Sequence, residues 1–212
     1  MRRLTNYALA AGVMAALTLA GCADPSDQTP SAEVTESTTP AATMEEAPQA
    51  EGTVYTFTPA STIGFVGSKV TGSHDGGFTQ FSGTITLAGE DLTQAVIETN
   101  IDMTSVYSDA DDLTKHLMSA DFFEVETYPE AKFVSTGIAK DGEAYKVTGD
   151  FTLHGVTKSI TFPATLGMAD GKVTAMAEFD IKRKDFGIVY PGKPDDLIRD
   201  NVVIKLSIEA TA

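Results

Sequence analysis

The sequence has 212 residues, of which 42% are hydrophobic and 21% charged, and its formal net charge is −15 at pH 7. This length is enough for one domain of ordinary size with additional segments at an end. Because binding to nucleic acid requires a basic face, a chain this acidic is not expected to bind nucleic acid, whereas a neutral or apolar ligand is compatible with its charge.

The first 21 residues are typical of an export signal. Arg2 and Arg3 precede a short stretch of Ala, Leu, Val and Met that ends in small residues. A membrane-spanning helix requires about 20 strongly apolar residues, so we interpret residues 1–21 as a signal peptide. The sequence LAGC, which ends at Cys22, resembles the lipobox of bacterial lipoproteins, in which the cysteine becomes the first residue of the mature chain and carries lipid.

Cys22 is the only cysteine of the chain, so it has no intramolecular disulfide partner, and we favour lipidation over a free thiol. Each buried CH₂ of an acyl chain contributes about 0.8 kcal/mol, so several chains anchor a protein effectively permanently. Ala23 and Asp24 occupy the positions that determine to which membrane such lipoproteins are sorted. They favour the periplasm-facing outer membrane over the inner membrane.

Residues 22–52 are predicted to form the lipidated cysteine and a disordered acidic linker. From Ala23 to Gly52 the chain consists mainly of Pro, Ser, Thr, Ala and acidic residues, without any aromatic residue, Lys or Arg. This composition cannot bury enough apolar surface to offset the entropy of ordering. A flexible coil of about 30 residues reaches roughly 30 Å, so the segment is expected to tether a domain of residues 53–212.

Alternation of apolar and polar residues begins after Thr53 and predicts β-strands. In KVTGDFTL, for example, Val147, Gly149 and Phe151 fall on one face. The predicted strands cover residues 54–58, 62–70, 78–88, 94–103, 131–139, 144–153, 157–166, 172–183 and 201–210. Residues 109–119 are predicted to be helical, because acidic residues precede apolar residues at helical spacing. This many neighbouring antiparallel strands form a barrel or a sandwich.

Three Asp-Gly pairs lie between predicted strands and are expected to form hairpin turns, which require residues that tolerate positive φ. The pairs are Asp75-Gly76, Asp141-Gly142 and Asp170-Gly171. Near the end of another strand, Arg183 belongs to the only basic run. A solvated strand edge is the favoured placement for this run, and a buried pairing of Arg183 with Asp200 is the alternative.

Candidate groups for catalysis or metal binding are few. His74, His116 and His154 are predicted to lie in a turn, a helix and a hairpin corner, and no two of them have the spacing of metal ligands. No nucleophile elbow and no phosphate-binding loop occurs in the sequence. We therefore predict that the chain is not an enzyme and carries no metal and no cofactor, apart from a bound lipid or quinone.

Four segments, in this order, resemble the YceI-like domain family: FTQFSGTI (78–85), DDLTKHLMSADFFEVETYPEAKFVST (111–136), GDFTLHGVTKSITFP (149–163) and KRKDFGI (182–188). The resemblance covers residues 54–211. It implies an all-β fold, an eight-stranded antiparallel lipocalin-like barrel with one short helix, which holds a polyprenyl or quinone tail in its interior. A barrel of this size is either filled by its own side chains or wide enough for one slender ligand.

Ten apolar residues are the candidate ligand-binding residues: Phe122, Phe123, Phe133, Val147, Phe151, Ile160, Phe162, Phe179, Ile181 and Leu206. For the last eight, alternation predicts an inward face but does not distinguish a filled core from a cavity. For the adjacent rings of Phe122 and Phe123, the hypothesis is that one lies in the core and the other at the cavity wall. The alternative is that both rings fill the end of the barrel.

The resemblance predicts a membrane-anchored envelope protein that binds an isoprenoid lipid as carrier or reservoir. Two alternatives stay open: an accessory module of a membrane electron-transfer or stress-response system, and a filled barrel that acts as a surface adaptor. The expected partners are the apolar isoprenoid ligand and the membrane, and a homodimer is left open. Each buried isoprene unit contributes about 3 to 4 kcal/mol before the costs of ordering are subtracted.

Overall fold

The computed structural model describes residues 24–38 and 51–212. The predicted signal peptide, Cys22 and residues 39–50 of the predicted linker lie outside the described residues. The described chain forms one α-helix, α1 (Asp111–Met118), and several short 3₁₀ turns, and no helix among the described residues is long and apolar enough to cross a bilayer. Its strands are β1 (Glu33–Glu36), β2 (Thr53–Phe57), β3 (Thr62–Lys69), β4 (Gly72–Phe78), β5 (Phe81–Leu87), β6 (Val96–Asp102), β7 (Val106–Ser108), β8 (Glu130–Asp141), β9 (Ala144–Leu153), β10 (Val156–Ala169), β11 (Lys172–Lys182), β12 (Gly192–Lys193), β13 (Asp196–Leu197) and β14 (Asn201–Thr211).

The long strands close into an antiparallel barrel. The ring runs β2, β5, β6, β8, β9, β10, β11 and β14, and β14 returns to β2. After short irregular segments, the chain continues β2, β5 and β6 as β3, β4 and β7. These three strands repeat the order of the ring, because β14 pairs with β3, β3 with β4 and β4 with β7. The predicted eight-stranded antiparallel barrel with one helix is confirmed, and the sandwich is not formed.

The two ends of the barrel differ. The turn end carries the hairpin turns that join β8 to β9 and β10 to β11, where Gly142, Asp170 and Gly171 have φ values of 63°, 52° and 72°. Both of these predicted Asp-Gly turns are confirmed. The loop end carries α1, the connection of residues 183–200 and the hairpin corner at His154, whose φ of 52° also fits the predicted turn.

The predicted turn at Asp75-Gly76 is wrong, because both residues lie inside β4 and pair with β3, and Gly76 also pairs with β7. The glycines of this strand make room for aromatic side chains. A Cβ on Gly76 would lie 2.4 Å from the ring of Phe65, and one on Gly77 would lie 2.8 Å from the Tyr107 hydroxyl. In this strand, glycine is present where aromatic side chains lie close to the backbone. The prediction took it as the sign of a turn, which is the other common role of glycine.

Residues 24–38, which the composition assigns to a disordered linker, instead lie against the barrel. β10 and β11 pair only near the turn end, and toward the loop end they separate and leave a seam. There β1 pairs with β10, Ser31 pairs with Asp180 of β11, and the Ser31 hydroxyl donates to the buried Asp180 carboxylate at 2.7 Å. The unpaired edges of β10 and β11 provide hydrogen-bonding partners for the backbone of residues 24–38. The amino-acid composition of this segment does not indicate that stabilisation.

Candidate ligand-binding site

A cavity of about 120 Å³ lies inside the barrel, among the inward-facing side chains of the strands. The strand residues that alternation assigns to the interior all line it: Phe133, Val147, Phe151, Ile160, Phe162, Phe179, Ile181 and Leu206. The structure therefore confirms their inward direction, and it shows a cavity where a filled core was the alternative. Their contact with a ligand stays a prediction.

The wall also contains residues that the sequence analysis did not single out. Ile97, Thr99 and Ile101 of β6 line the cavity, and so do Phe57 of β2 and Phe78 of β4. The first three alternate in the sequence, so the period-two pattern was sufficient to find them. Phe78 was assigned to the start of the predicted strand 78–88, whereas in the structure it ends β4 and the next strand begins at Phe81.

The size and polarity of the cavity limit what it can hold. An engineered cavity of about 150 Å³ lined by Leu, Ile and Phe stays dry and binds benzene. A cavity of about 120 Å³ therefore has room for a segment of about one isoprene unit, and a longer chain requires side chains of the wall to change rotamer. Thr99 supplies the hydroxyl of a wall that is otherwise apolar, so the cavity suits hydrocarbon and not a charged group.

Aromatic rings and glycines shape the wall together. Phe162 and Phe179 stack with their centroids 4.2 Å apart, and Phe133 packs against Phe162 at 5.8 Å. A Cβ on Gly149 would lie 2.4 Å from the ring of Phe133. The ring of Phe133 therefore occupies the space that a side chain at position 149 would take, and it lies close to the sheet.

Replacing Gly149 with alanine is expected to lower the free energy of unfolding by about 1 to 3 kcal/mol, the usual range for overpacking. The added Cβ would meet both the Phe133 ring and the Val134 carbonyl oxygen, the latter at 2.6 Å. Gly137→Ala is the matched control, because nothing lies within 4 Å of its Cβ position. That control is expected to be neutral or to stabilise by up to about 1 kcal/mol. Urea unfolding measures both, and equal values for the two variants would contradict this packing.

Phe123 lies one ring behind the cavity wall. Its ring centroid is 6.2 Å from that of Phe78 and 6.3 Å from that of Phe65, and these two rings are 5.8 Å apart. Phe78 lines the cavity, whereas Phe123 does not. Phe123 therefore does not form the wall of this cavity, and the contact of Phe122 and Phe123 with a ligand stays a prediction.

Phe122 is in the core, at 7% exposure, and lines a second pocket of about 240 Å³ at the loop end. Its ring lies 4.9 Å from that of His116 and 5.5 Å from that of Tyr190, and the last two are 5.2 Å apart. On another wall of this pocket, Lys69 forms an ion pair with Asp196. No local sequence pattern indicates this pocket, because α1, β3 and the connection of residues 183–200 meet only in the folded chain.

Comparison with known proteins identifies the family. Residues 55–210 match the family model described as the YceI-like domain. The chain belongs to the YceI-like domain family. Protein YceI of Escherichia coli O6:H1 is 42% identical over 119 residues, which are 53% of this chain and 62% of that relative. A UPF0312 protein of Pseudomonas putida (strain W619) is 40% identical over 125 residues, or 55% of this chain and 65% of the relative.

Solved structures share the fold of this YceI-like protein. BcnA of Burkholderia cenocepacia has a TM-score of 0.63 and 27% sequence identity, and the match covers 71% of this chain and 96% of BcnA. A polyisoprenoid binding domain from Saccharophagus degradans, implicated in plant cell wall breakdown, has a TM-score of 0.62 and 20% identity, with 74% and 98% of the two chains covered. At that identity the second likeness shows the fold alone.

Arg183 of this YceI-like domain is 5% exposed, so the favoured placement on a solvated edge is wrong. Its guanidinium donates to three backbone carbonyls, those of Ile188 at 2.7 Å, Arg199 at 3.0 Å and Ile198 at 3.4 Å. Burial lowers the pKa of Arg183, whereas the nearby Asp200 carboxylate raises it. The partners of this buried cation are therefore mainly carbonyl dipoles of the loop end, and Asp200 acts on it at longer range.

Each histidine of the YceI-like domain lies beside a carboxylate. His74 Nδ1 is 2.7 Å from Asp109, His116 Nε2 is 2.8 Å from Asp121, and His154 Nε2 is 3.7 Å from Glu124. The hydrogen bond to His74 lowers the pKa of Asp109 below its ordinary value. Within residues 24–38 and 51–212, no group of three or more His, Cys, Asp or Glu side chains is placed to hold a metal ion.

Proposed function

We propose that this protein binds an isoprenoid lipid inside its barrel and serves the bacterial envelope as a carrier or reservoir of that lipid. The observation that carries the proposal is the apolar cavity within a closed barrel. A hydrocarbon chain requires no hydrogen-bonding partner, and each CH₂ it buries contributes about 0.8 kcal/mol. The shared fold with a polyisoprenoid binding domain from Saccharophagus degradans supports this class of ligand.

The proposal includes a membrane anchor at Cys22. The lipobox-like LAGC and the preceding export signal support it, and Ala23 and Asp24 favour the outer membrane. An anchored carrier remains beside the bilayer in which a water-insoluble isoprenoid dissolves. The proposed role is binding and not catalysis, because the described residues that line the cavity include no titratable side chain.

A quinone is a second candidate ligand, and the pocket at the loop end favours it. The rings of His116, Phe122 and Tyr190 have their centroids within 5.5 Å of one another and border a space of about 240 Å³, and the His116 ring meets the other two edge to face. Aromatic edges and faces of this kind bind planar rings. A quinone with its head in this pocket and its tail in the barrel would have to displace the side chains that separate the two spaces.

Mass spectrometry of an organic extract of the protein, purified from native membranes, tests the ligand. We expect a polyprenyl species at about one molecule per chain. A stoichiometric quinone would favour the second candidate, and the absence of any isoprenoid would contradict both. The intact mass of the same preparation tests the anchor separately: the mature chain is expected to begin at Cys22 and to carry acyl chains, and an unmodified Cys22 would contradict the anchor alone.

A further inference from the structure

Asp24 is held at the loop end of the barrel. Its carboxylate lies 2.5 Å from the guanidinium of Arg199 and accepts hydrogen bonds from the Ser26 amide at 3.0 Å and the Ser26 hydroxyl at 2.8 Å. Burial raises the pKa of Asp24, but these hydrogen bonds outweigh it and leave the pKa below its ordinary value. The carboxylate is therefore charged at neutral pH, where the ion pair with Arg199 is fully formed.

The ion pair does not act alone. An exposed ion pair contributes little by itself, but seven residues later Ser31 bonds to the buried Asp180, and β1 then pairs with β10. The backbone of Ala32 also donates to the Asp180 carbonyl at 2.9 Å, and the Asp180 amide donates to the Pro30 carbonyl at 3.0 Å. Residues 24–36 are thus bound to the barrel along their length, beginning at the loop end.

This arrangement shortens the tether that composition predicts. Only Ala23 separates Asp24 from Cys22. Two residue steps span at most about 7 Å, whereas a coil of about 30 residues would reach roughly 30 Å. A lipid group on Cys22 would therefore hold the loop end of the barrel directly beside the bilayer.

The loop end also carries exposed apolar side chains. Val70, Val189 and Leu197 are 53%, 64% and 49% exposed. Val70 and Leu197 are neighbours, because the Val70 amide donates to the Leu197 carbonyl at 3.1 Å. The same pairing of segments includes Arg199, whose amide donates to the Ser68 carbonyl at 2.9 Å. Exposed apolar side chains that lie together, as those of Val70 and Leu197 do, are typical of a surface that contacts an apolar partner.

We propose that the loop end is the membrane-docking face of the protein, and that its partner is the lipid bilayer that holds Cys22. Val70, Val189 and Leu197 enter the interface between lipid and water, and the ion pair of Asp24 with Arg199 sets the orientation. The inference rests on the proposed anchor at Cys22. In this orientation the second pocket and the ring of Phe123 face the bilayer, so an isoprenoid exchanges between bilayer and barrel without crossing water.

Site-directed spin labelling tests the orientation. The lipoprotein is reconstituted into vesicles of phosphatidylethanolamine and phosphatidylglycerol, and a nitroxide is attached through Val70→Cys or through Val54→Cys. Val54 is the matched control, because it is the same residue type, is 50% exposed and lies on β2 at the turn end. We expect the label at position 70 to collide with oxygen dissolved in the bilayer and to be shielded from a water-soluble nickel complex, and the label at position 54 to show the reverse. Equal accessibility at the two positions would overturn the docking face.

Two further measurements separate this inference from the anchor on which it rests. In the protein without an added cysteine, an acylated Cys22 cannot take the label; labelling there, or failure to float with the vesicles, would contradict the anchor and the docking face with it. Arg199→Gln removes the ion pair and leaves the residues around Cys22 unchanged. We expect this variant to stay on the vesicles while the nickel accessibility at position 70 rises several-fold, and an unchanged accessibility would overturn the orienting role of the ion pair.

Discussion

Replacing Ala177 with phenylalanine is expected to weaken the binding of an isoprenoid about a hundredfold or more. Ala177 of β11 lines the cavity. Phenylalanine at this position adds a benzene ring, and a cavity of about 150 Å³ is the size that accommodates benzene, so the added ring fills most of the roughly 120 Å³ present here. Excluding one isoprene unit removes about 3 to 4 kcal/mol of binding free energy from buried CH₂ groups. Because about 1.4 kcal/mol corresponds to a tenfold change in Kd, the expected increase in Kd is a factor of about 100 to 1,000.

Ala139→Phe is the control for this substitution. Ala139 is exposed on β8, so the same ring is added outside the barrel. Calorimetric titration with farnesol, a short isoprenoid alcohol, measures binding to the native protein and both variants, and the midpoint of thermal unfolding shows that each is folded. We expect the control to bind as the native protein does. Equal affinity of the two variants would place the ligand outside the barrel.

The parts of the fold that sequence predicted correctly depend on neighbours in the chain. Period-two alternation gave the inward direction of Val147, Phe162 and Phe179, because successive side chains of a strand point to opposite faces. The turn at Asp170 and Gly171 was also predictable from neighbouring residues, because the positive φ values of these two residues determine its conformation. These signals were sufficient for strands, turns and the residues that line the cavity.

The open interior of the barrel follows from packing between strands, which alternation does not contain. A Cβ on Gly83 would lie 2.4 Å from the ring of Phe57, as one on Gly149 would from the ring of Phe133. Each large ring thus lies over a glycine of a neighbouring strand and stays close to the wall. A sequence pattern shows which side chains point inward, but the distance that remains between them depends on these pairs.

The loop end was the least predictable region, because segments far apart in the sequence form it. Composition gave no indication that Asp24 would meet Arg199, and the tether was therefore assigned to coil along its whole length. Of the adjacent rings, that of Phe122 lines the second pocket, whereas that of Phe123 packs against Phe78 behind the cavity wall. Arg183, assigned to a solvated edge, is instead the residue that joins the parts of this end.

Replacing Arg183 with methionine is expected to lower the free energy of unfolding by about 3 to 5 kcal/mol, because three carbonyl acceptors lose their charged donor. The methionine fills much of the same volume but cannot donate, so the carbonyls of Ile188, Ile198 and Arg199 lose the guanidinium. Each buried acceptor without a donor costs about 1 to 3 kcal/mol of stability. Water that enters the loop end hydrogen-bonds to these carbonyls and recovers part of that loss. Urea unfolding, with the slope compared between variants, measures the change.

Lys184→Met, one position away, is the matched control. The Lys184 side chain is 52% exposed and its Nζ lies 3.8 Å from the Asp200 carboxylate, so its loss is expected to cost less than about 1 kcal/mol. Arg183→Lys separates charge from geometry, because an ammonium keeps the charge but cannot reach three carbonyls in the plane of a guanidinium. We expect the lysine variant to recover only a minor part of the stability. Full recovery would show that the charge of Arg183, and not its planar set of donors, stabilises the loop end.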